Sequence, residues 1–386
     1  MLRAINQKIQ QRPRLFEAGL VVAIALLILF AAPAILTAVG QEFRVNMLGR
    51  FLALAIVALG IDLIWGYTGI LSLGHGLFFT LGGYALAMYL KLQLPEGELP
   101  EFFTLYGVTE LPWFWKPFYS FPFALAATVF VPMLIATLLG YLVFRNRIRG
   151  VYFSILTQAA LIVFFNFFNS QQKLINGTNG LKTDTTKIFD MYVGSDDVQR
   201  VLYILSVVFL ILAYCLSRWL TSGRLGRLLI AIRDDESRVR FSGYDPTGFK
   251  VLVFAVSAGL AGIAGALYAA QSGGISPKTM DIAFSIEMVI WVAVGGRASL
   301  VGAVLGAILV NFSKSILSEQ FPQVWLFFLG GLFLTVVTVL PDGFVGWIRT
   351  TGVEQVRSRL GRRRLLTYPS LSEDPEVEYE RQNLRN

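Results

Sequence analysis

The sequence predicts an all-α fold: a polytopic membrane protein with about ten transmembrane helices in a compact bundle. Three observations carry this expectation. Of 386 residues, 55% are hydrophobic and only 15% are charged, with a mean hydropathy of +0.61; a soluble chain keeps far more charge on its surface. Residues 21–36 and several later runs carry no charge, and with their shoulders they match the thickness of a bilayer core of about 30 Å. Lysine and arginine are concentrated in the links between these runs, as they are in cytoplasmic loops.

Taken in order, the helical segments are expected near 17–39, 47–65, 70–91, 121–143, 151–169, 199–220, 248–271, 284–296, 299–317 and 324–347. Lys8, Arg12 and Arg14 precede the first, and Arg145, Arg147 and Arg149 follow the fourth. A cluster from Arg218 to Arg240 follows the sixth, Arg297 follows the eighth, and a group from Arg349 to Arg364 follows the tenth. Ten crossings put all of these on one face, the cytoplasm, together with both termini. The eighth segment is short, and if it did not cross, the basic tail would lie outside. The long links at 92–120, with Trp113, Phe114 and Trp115 suited to a membrane interface, and at 170–198 fall on the opposite side. The chain thus divides into an N-terminal cytoplasmic segment at 1–16, a transmembrane domain at 17–347 and a tail at 348–386, first basic and then acidic, whose composition predicts partial disorder. No cleavable signal peptide is evident, because the first apolar segment is too long and lacks a small-residue cleavage pattern.

Composition excludes several functions. One cysteine, Cys215, and one histidine, His75, can form neither an internal disulfide nor a Cys/His metal shell. The net charge of +8 is accounted for by cytoplasmic loops and does not call for nucleic acid. The chain has no Gly-rich phosphate loop, so any ATP is hydrolysed by a partner, and no cofactor is expected. No catalytic constellation is present, so the chain does not read as an enzyme. Few acids lie within the apolar runs, which disfavours an ion-coupled secondary carrier.

Charged groups at membrane depth are costly and usually face the protein interior or a polar path. Asp62, on the second segment, and His75, flanked by Gly74 and Gly76 in Ser72-Leu-Gly-His-Gly, are candidate path residues; Glu287 and Lys314 either line the path or reach an interface. A lone histidine is more commonly a packing residue than a ligand. Small residues recur at Ala258, Gly262, Ala266 and Ala270, and again at Gly302 and Gly306, where helices can approach closely. One basic loop has an amphipathic helical pattern, with Leu225, Leu228, Leu229 and Ile232 on one side and charges on the other. Such a helix lies on a membrane or docks in a partner's groove.

That loop, Ser222-Gly-Arg-Leu-Gly-Arg…Ala-Ile-Arg-Asp-Asp-Glu236, resembles the coupling loop of branched-chain amino acid ABC permeases. Ser72-Leu-Gly-His-Gly, Gly150-Val-Tyr-Phe-Ser154 and Val294-Gly-Gly-Arg297 also resemble family motifs, and the likeness covers roughly residues 48–347. Finer details resemble the urea permeases of that family: Leu-Gly-Gly-Tyr84, Glu110-Leu-Pro-Trp-Phe-Trp115, Asp235-Glu-Ser-Arg-Val239 and Gly265-Ala-Leu-Tyr268. Asn176-Gly-Thr-Asn-Gly-Leu181 departs from the Gly-rich form expected there. The resemblance implies a multi-pass inner-membrane subunit importing urea, with branched-chain or other amino acids as the alternative substrate. It also implies a paralogous permease, two ATP-hydrolysing subunits and a periplasmic binding protein as partners. Within the coupling loop, 221–247, it implies ATPase contacts by Arg224, Gly226, Leu228, Leu229, Arg233, Asp234, Asp235 and Glu236, with the leucines and Ile232 filling an apolar groove.

Overall fold

The computed structural model describes residues 43–339 apart from 96, 97, 149, 322 and 323, together with isolated positions 33, 38, 40, 343 and 344. The first expected segment, 17–39, lies almost wholly outside the described residues, and 1–16 and 348–386 lie outside them entirely. The principal helices are α1 Phe43–Thr68, α2 His75–Lys91, α3 Phe121–Arg145, α4 Val151–Ser170, α5 Asp196–Thr221, α6 Gly223–Phe241, α7 Pro246–Ser272, α8 Ile282–Gly295, α9 Leu300–Gln320 and α10 Trp325–Val339.

Six of these, α1, α3, α4, α5, α7 and α9, are long and apolar enough to cross a membrane. The expectation of about ten full crossings is therefore not met helix for helix among the described residues. The segment expected from 70 becomes helical only at His75, because Gly69 sits at φ +74° and the chain from Gly69 to Gly74 is irregular. At 1.5 Å per residue the 14 residues of α8 cover about 21 Å, short of the roughly 30 Å hydrocarbon core.

The centre of the bundle is α7, which packs against α1, α2 and α3. Its expected small-residue ridge explains how. Gly262 lies against the carbonyl oxygen of Thr128, and that oxygen has no intrahelical donor because the residue four positions on is Pro132. On its other side Gly262 meets the backbone of Gly82, and Gly265 meets that of Phe79, so α2 and α7 cross backbone to backbone. Gly295, Gly302 and Gly306 similarly bring α8 and α9 together.

Two ends of the bundle can be distinguished. At one, Arg233 of α6 donates from Nη1 to the Gly66 carbonyl near the end of α1, 2.9 Å away. Lys250, early in α7, is tied to Glu236 of α6 by a 2.5 Å ion pair. From the other end the chain turns back inward after α7. Gly274–Ile275 pairs with Leu181–Lys182 as a two-residue antiparallel ladder. Ile275 then passes Gly83, Thr279 meets Thr80 at 2.7 Å, and Ser285 accepts from the Gly76 amide at 3.2 Å. The chain from 275 to 285 thus descends antiparallel to α2 before α8 continues the descent. Residues 275–281 are thus non-α, with a short 3-10 turn at Pro277–Met280, and the helix proper begins only at Ile282. Non-helical backbone at such depth is tolerable where protein surrounds it and satisfies its polar groups.

Candidate functional site

His75 is fully buried. Its Nε2 lies 2.7 Å from Ser257 Oγ and its Nδ1 lies 3.0 Å from Ser72 Oγ. The Ser257 hydroxyl proton is already committed to the Gly60 carbonyl, at 2.6 Å. Ser257 can therefore only accept from His75, which places the proton on Nε2 and leaves Nδ1 to accept from Ser72. The imidazole thus ties α2 to α7 and, through Ser257, to α1. Ser257 lies eleven residues beyond Pro246, about 17 Å along α7, so this junction is at mid-bundle depth. Gly74 and Gly76 allow it to form: a β-carbon on the first would strike Thr157, and on the second Ser285 and Thr279.

Asp62 is also fully buried but serves a different place. Its Oδ1 accepts from the Ala298 amide at 2.7 Å, and the Tyr67 hydroxyl donates to the Ala298 carbonyl at 3.3 Å. Ala298 has φ +57°, an uncommon conformation for a residue with a side chain. Asp62 therefore fastens the strained turn between α8 and α9. His75 and Asp62 are held by separate sets of partners.

Glu287 and Lys314, expected either in the path or at an interface, pair with each other at 2.7 Å between α8 and α9. Glu287 is buried, whereas the Lys314 side chain is 31% exposed.

The expectation for α6 needs correction. The helix is present, but its apolar face points into the chain's own bundle: Leu229 is 0% exposed and Ile232 4%, and Leu225 packs against the same core. Leu228 is half-buried. Leu229 and Ile232 are thus covered by the bundle and not presented to a partner. Glu236 is not a rim charge either, since it is held by Lys250 and by Arg240 at 2.9 Å. Gly226 is buried against the Thr221 carbonyl, and Arg233 is turned back onto Gly66. Asp235 breaks the helix, with φ −157° and ψ 96°. Its Oδ1 accepts from the amides of Ser237 and Arg238 at 2.9 and 3.2 Å, capping the second half. Asp234 and Arg224 remain exposed, and so do Arg227, Arg238 and Tyr244, together with Phe241 at 92%. A cleft of about 320 Å³ lies beneath α6, lined by Gly69, Phe153, Arg233, Asp235, Glu236 and Lys250 among others.

Ser257, Lys250 and Arg50 were not singled out from the sequence. Ser257, the remote partner of His75, has no signal near His75 in the sequence.

Six helices long and apolar enough to cross a membrane, with polar side chains buried between them, are the mark of a membrane-embedded bundle. The family model for the branched-chain amino acid transport system permease component matches residues 43–337, and the chain belongs to this family. Its relatives are transport permeases. The high-affinity branched-chain amino acid transport system permease protein LivM of Salmonella typhimurium is 27% identical over 315 residues, covering 76% of this chain and 68% of the relative. BraD, of the same description, from Pseudomonas aeruginosa is 22% identical, covering 76% and 91%. The ribose import permease protein RbsC of Haemophilus influenzae is 24% identical over 226 residues, covering 56% and 68%. No solved structure matches the chain significantly.

Proposed function

We propose that this chain is a membrane-spanning permease subunit of an ATP-driven importer in the bacterial inner membrane, taking up a small nitrogen-bearing solute. The observation that carries the reading is the family match across residues 43–337. Branched-chain amino acids are the substrate that the relatives' names support. Urea is the second reading, supported by Asp235-Glu-Ser-Arg-Val239 and the other motifs that resemble urea permeases. In this reading a paralogous permease completes the path, two ATPase subunits supply energy and a periplasmic protein delivers the solute. The α6 end faces the cytoplasm, with both termini on that side.

The contact with the ATPase is made by the exposed side of α6 and the turn after it: Arg224, Arg227, Asp234, Arg238, Phe241 and Tyr244. Arginine and exposed aromatic side chains are the residue types that dominate interface energetics. Movement there reaches the bundle through Arg233, Glu236 and Lys250.

The deciding experiment reconstitutes the complete transporter in proteoliposomes and follows ATP-dependent uptake of labelled leucine and labelled urea in competition. Leucine uptake blocked by unlabelled leucine but not by urea supports the first reading; the converse supports the second. Uptake that persists without ATP and collapses with an ion gradient would place the chain among secondary carriers.

A further inference from the structure

The ion pair between α8 and α9 belongs to a larger cluster whose polar valences are not filled. Lys314 is fourteen residues beyond Leu300, so it sits about 21 Å along α9 and well inside the bundle. Its partner Glu287 uses only Oε2; Oε1 is buried and has no hydrogen-bond partner among the described residues. One helical turn on, at the i+4 position, the fully buried Trp291 has an indole N–H that is also without an acceptor. An acceptor and a donor on one face of α8 therefore lie open together.

Arg50 of α1 lies in the neighbourhood of this pair. Met47, one turn away on the same face, places its sulfur 4.0 Å from Ser315 Oγ, the residue after Lys314. Tyr268 is within electrostatic reach of both Arg50 and Glu287. The Nε of Arg50 is buried and unpartnered among the described residues. Each buried polar group without a partner costs roughly 1–3 kcal/mol, and three in one cluster call for a ligand or water to complete them. The partial exposure of Lys314 gives the cluster an edge at the surface. Facing lipid with that edge would be costly at such depth, so it faces a polar lane or another subunit.

We propose that Arg50, Glu287 and Trp291 form a substrate station at mid-bundle depth for a small solute carrying N–H donors next to a C–O acceptor. Glu287 Oε1 accepts an N–H of the solute, while Trp291 Nε1 and Arg50 donate to its oxygen. Lys314 holds Oε2 of Glu287 and so orients the carboxylate. This rests on the permease reading and deepens it. The donor and acceptor set suits both the ammonium and carboxylate of an amino acid and the amide edges of urea.

The test uses the complete reconstituted transporter with labelled leucine and labelled urea as separate probes. Glu287→Gln breaks the ion pair yet keeps an acceptor oxygen, so the informative variant is Glu287→Met with Lys314→Met, which removes the acceptor and leaves no unpaired charge. Its assembly into the complex is checked first, by co-purification of the ATPase. The station predicts that this double variant and Trp291→Phe raise the KM for the transported probe at least tenfold, with a smaller change in maximal rate. Whichever probe the wild type moves identifies the solute that uses the station. An assembled double variant with wild-type KM would reduce the cluster to a structural pair and overturn the station. If the double variant fails to assemble, unchanged KM in Trp291→Phe and Arg50→Gln overturns it. Wild-type complex that moves neither probe would instead overturn the permease reading from which the proposal starts.

Discussion

At the scale of single residues, the polar groups buried in this bundle are joints between elements. His75 connects three helices through one serine hydroxyl, and the proton count fixes which ring nitrogen carries hydrogen. Ser257→Ala leaves the His75 Nε2–H without an acceptor and removes the link to the Gly60 carbonyl, which keeps its helical donor. Thermal unfolding in detergent should show a loss of about 1–3 kcal/mol; an unchanged midpoint would mean that water replaces the hydroxyl. Asp62 offers a sharper distinction. Asp62→Asn keeps an oxygen able to accept from the Ala298 amide, whereas Asp62→Ala does not. Hydrogen exchange across residues 296–299 should therefore quicken markedly in the alanine variant and little in the asparagine variant. Equal exchange in both would show that the carboxylate does not hold this turn.

At the scale of elements, α6 shows why an amphipathic pattern does not name its partner. Leu225, Leu229 and Ile232 satisfy the same spacing whether they meet lipid, an ATPase or their own bundle. Here they meet their own bundle, helped by Arg233 reaching the carbonyl end of α1 and by the buried Lys250–Glu236 pair. Leu229→Asp should then place a charge in the core and abolish folded permease in the membrane fraction. Phe241→Asp alters a side chain that is 92% exposed; it should leave the permease folded while lowering coupled ATP hydrolysis and uptake several-fold. If Leu229→Asp assembled normally and only lost coupling, the apolar face would be the docking face after all.

At the scale of the whole molecule, the crossing of α2 over α7 sets how tightly the bundle closes. A β-carbon at Gly82 would run into the backbone of Gly262, where neither side can yield without moving a helix. Gly82→Val should cost about 1–3 kcal/mol through overpacking, seen as a lower unfolding midpoint and reduced yield of the monodisperse protein; a wild-type midpoint would mean that the helices separate freely. The proposed orientation has its own check. With Cys215 replaced by alanine, single cysteines at Trp113 and at Phe241, both highly exposed, should react with an impermeant maleimide from opposite sides of the membrane. Labelling of both from one side would overturn the topology.

Much of this was legible from the residues alone, and the reason is the solvent. Long, predominantly apolar runs at 47–65, 121–143, 151–169, 199–220, 248–271 and 299–317 became helices that begin within four residues of the expected starts and run up to three residues past the expected ends, because a bilayer core leaves backbone groups no partners except one another. The small-residue positions 262, 302 and 306 were likewise readable as close approaches. What the sequence could not decide was anything that depends on a residue far along the chain. Whether Asp62 lines a path or fastens a turn depends on Ala298, 236 residues away, and His75 depends on Ser257, 182 residues away. The irregular stretch before α8 depends on α2 supplying hydrogen-bond partners to Thr279 and Ser285. The inward face of α6 depends on α1 and α7. Local composition sets which segments leave water, whereas the partners of a polar side chain are set by which helices happen to pack beside it, and only the tertiary structure decides that.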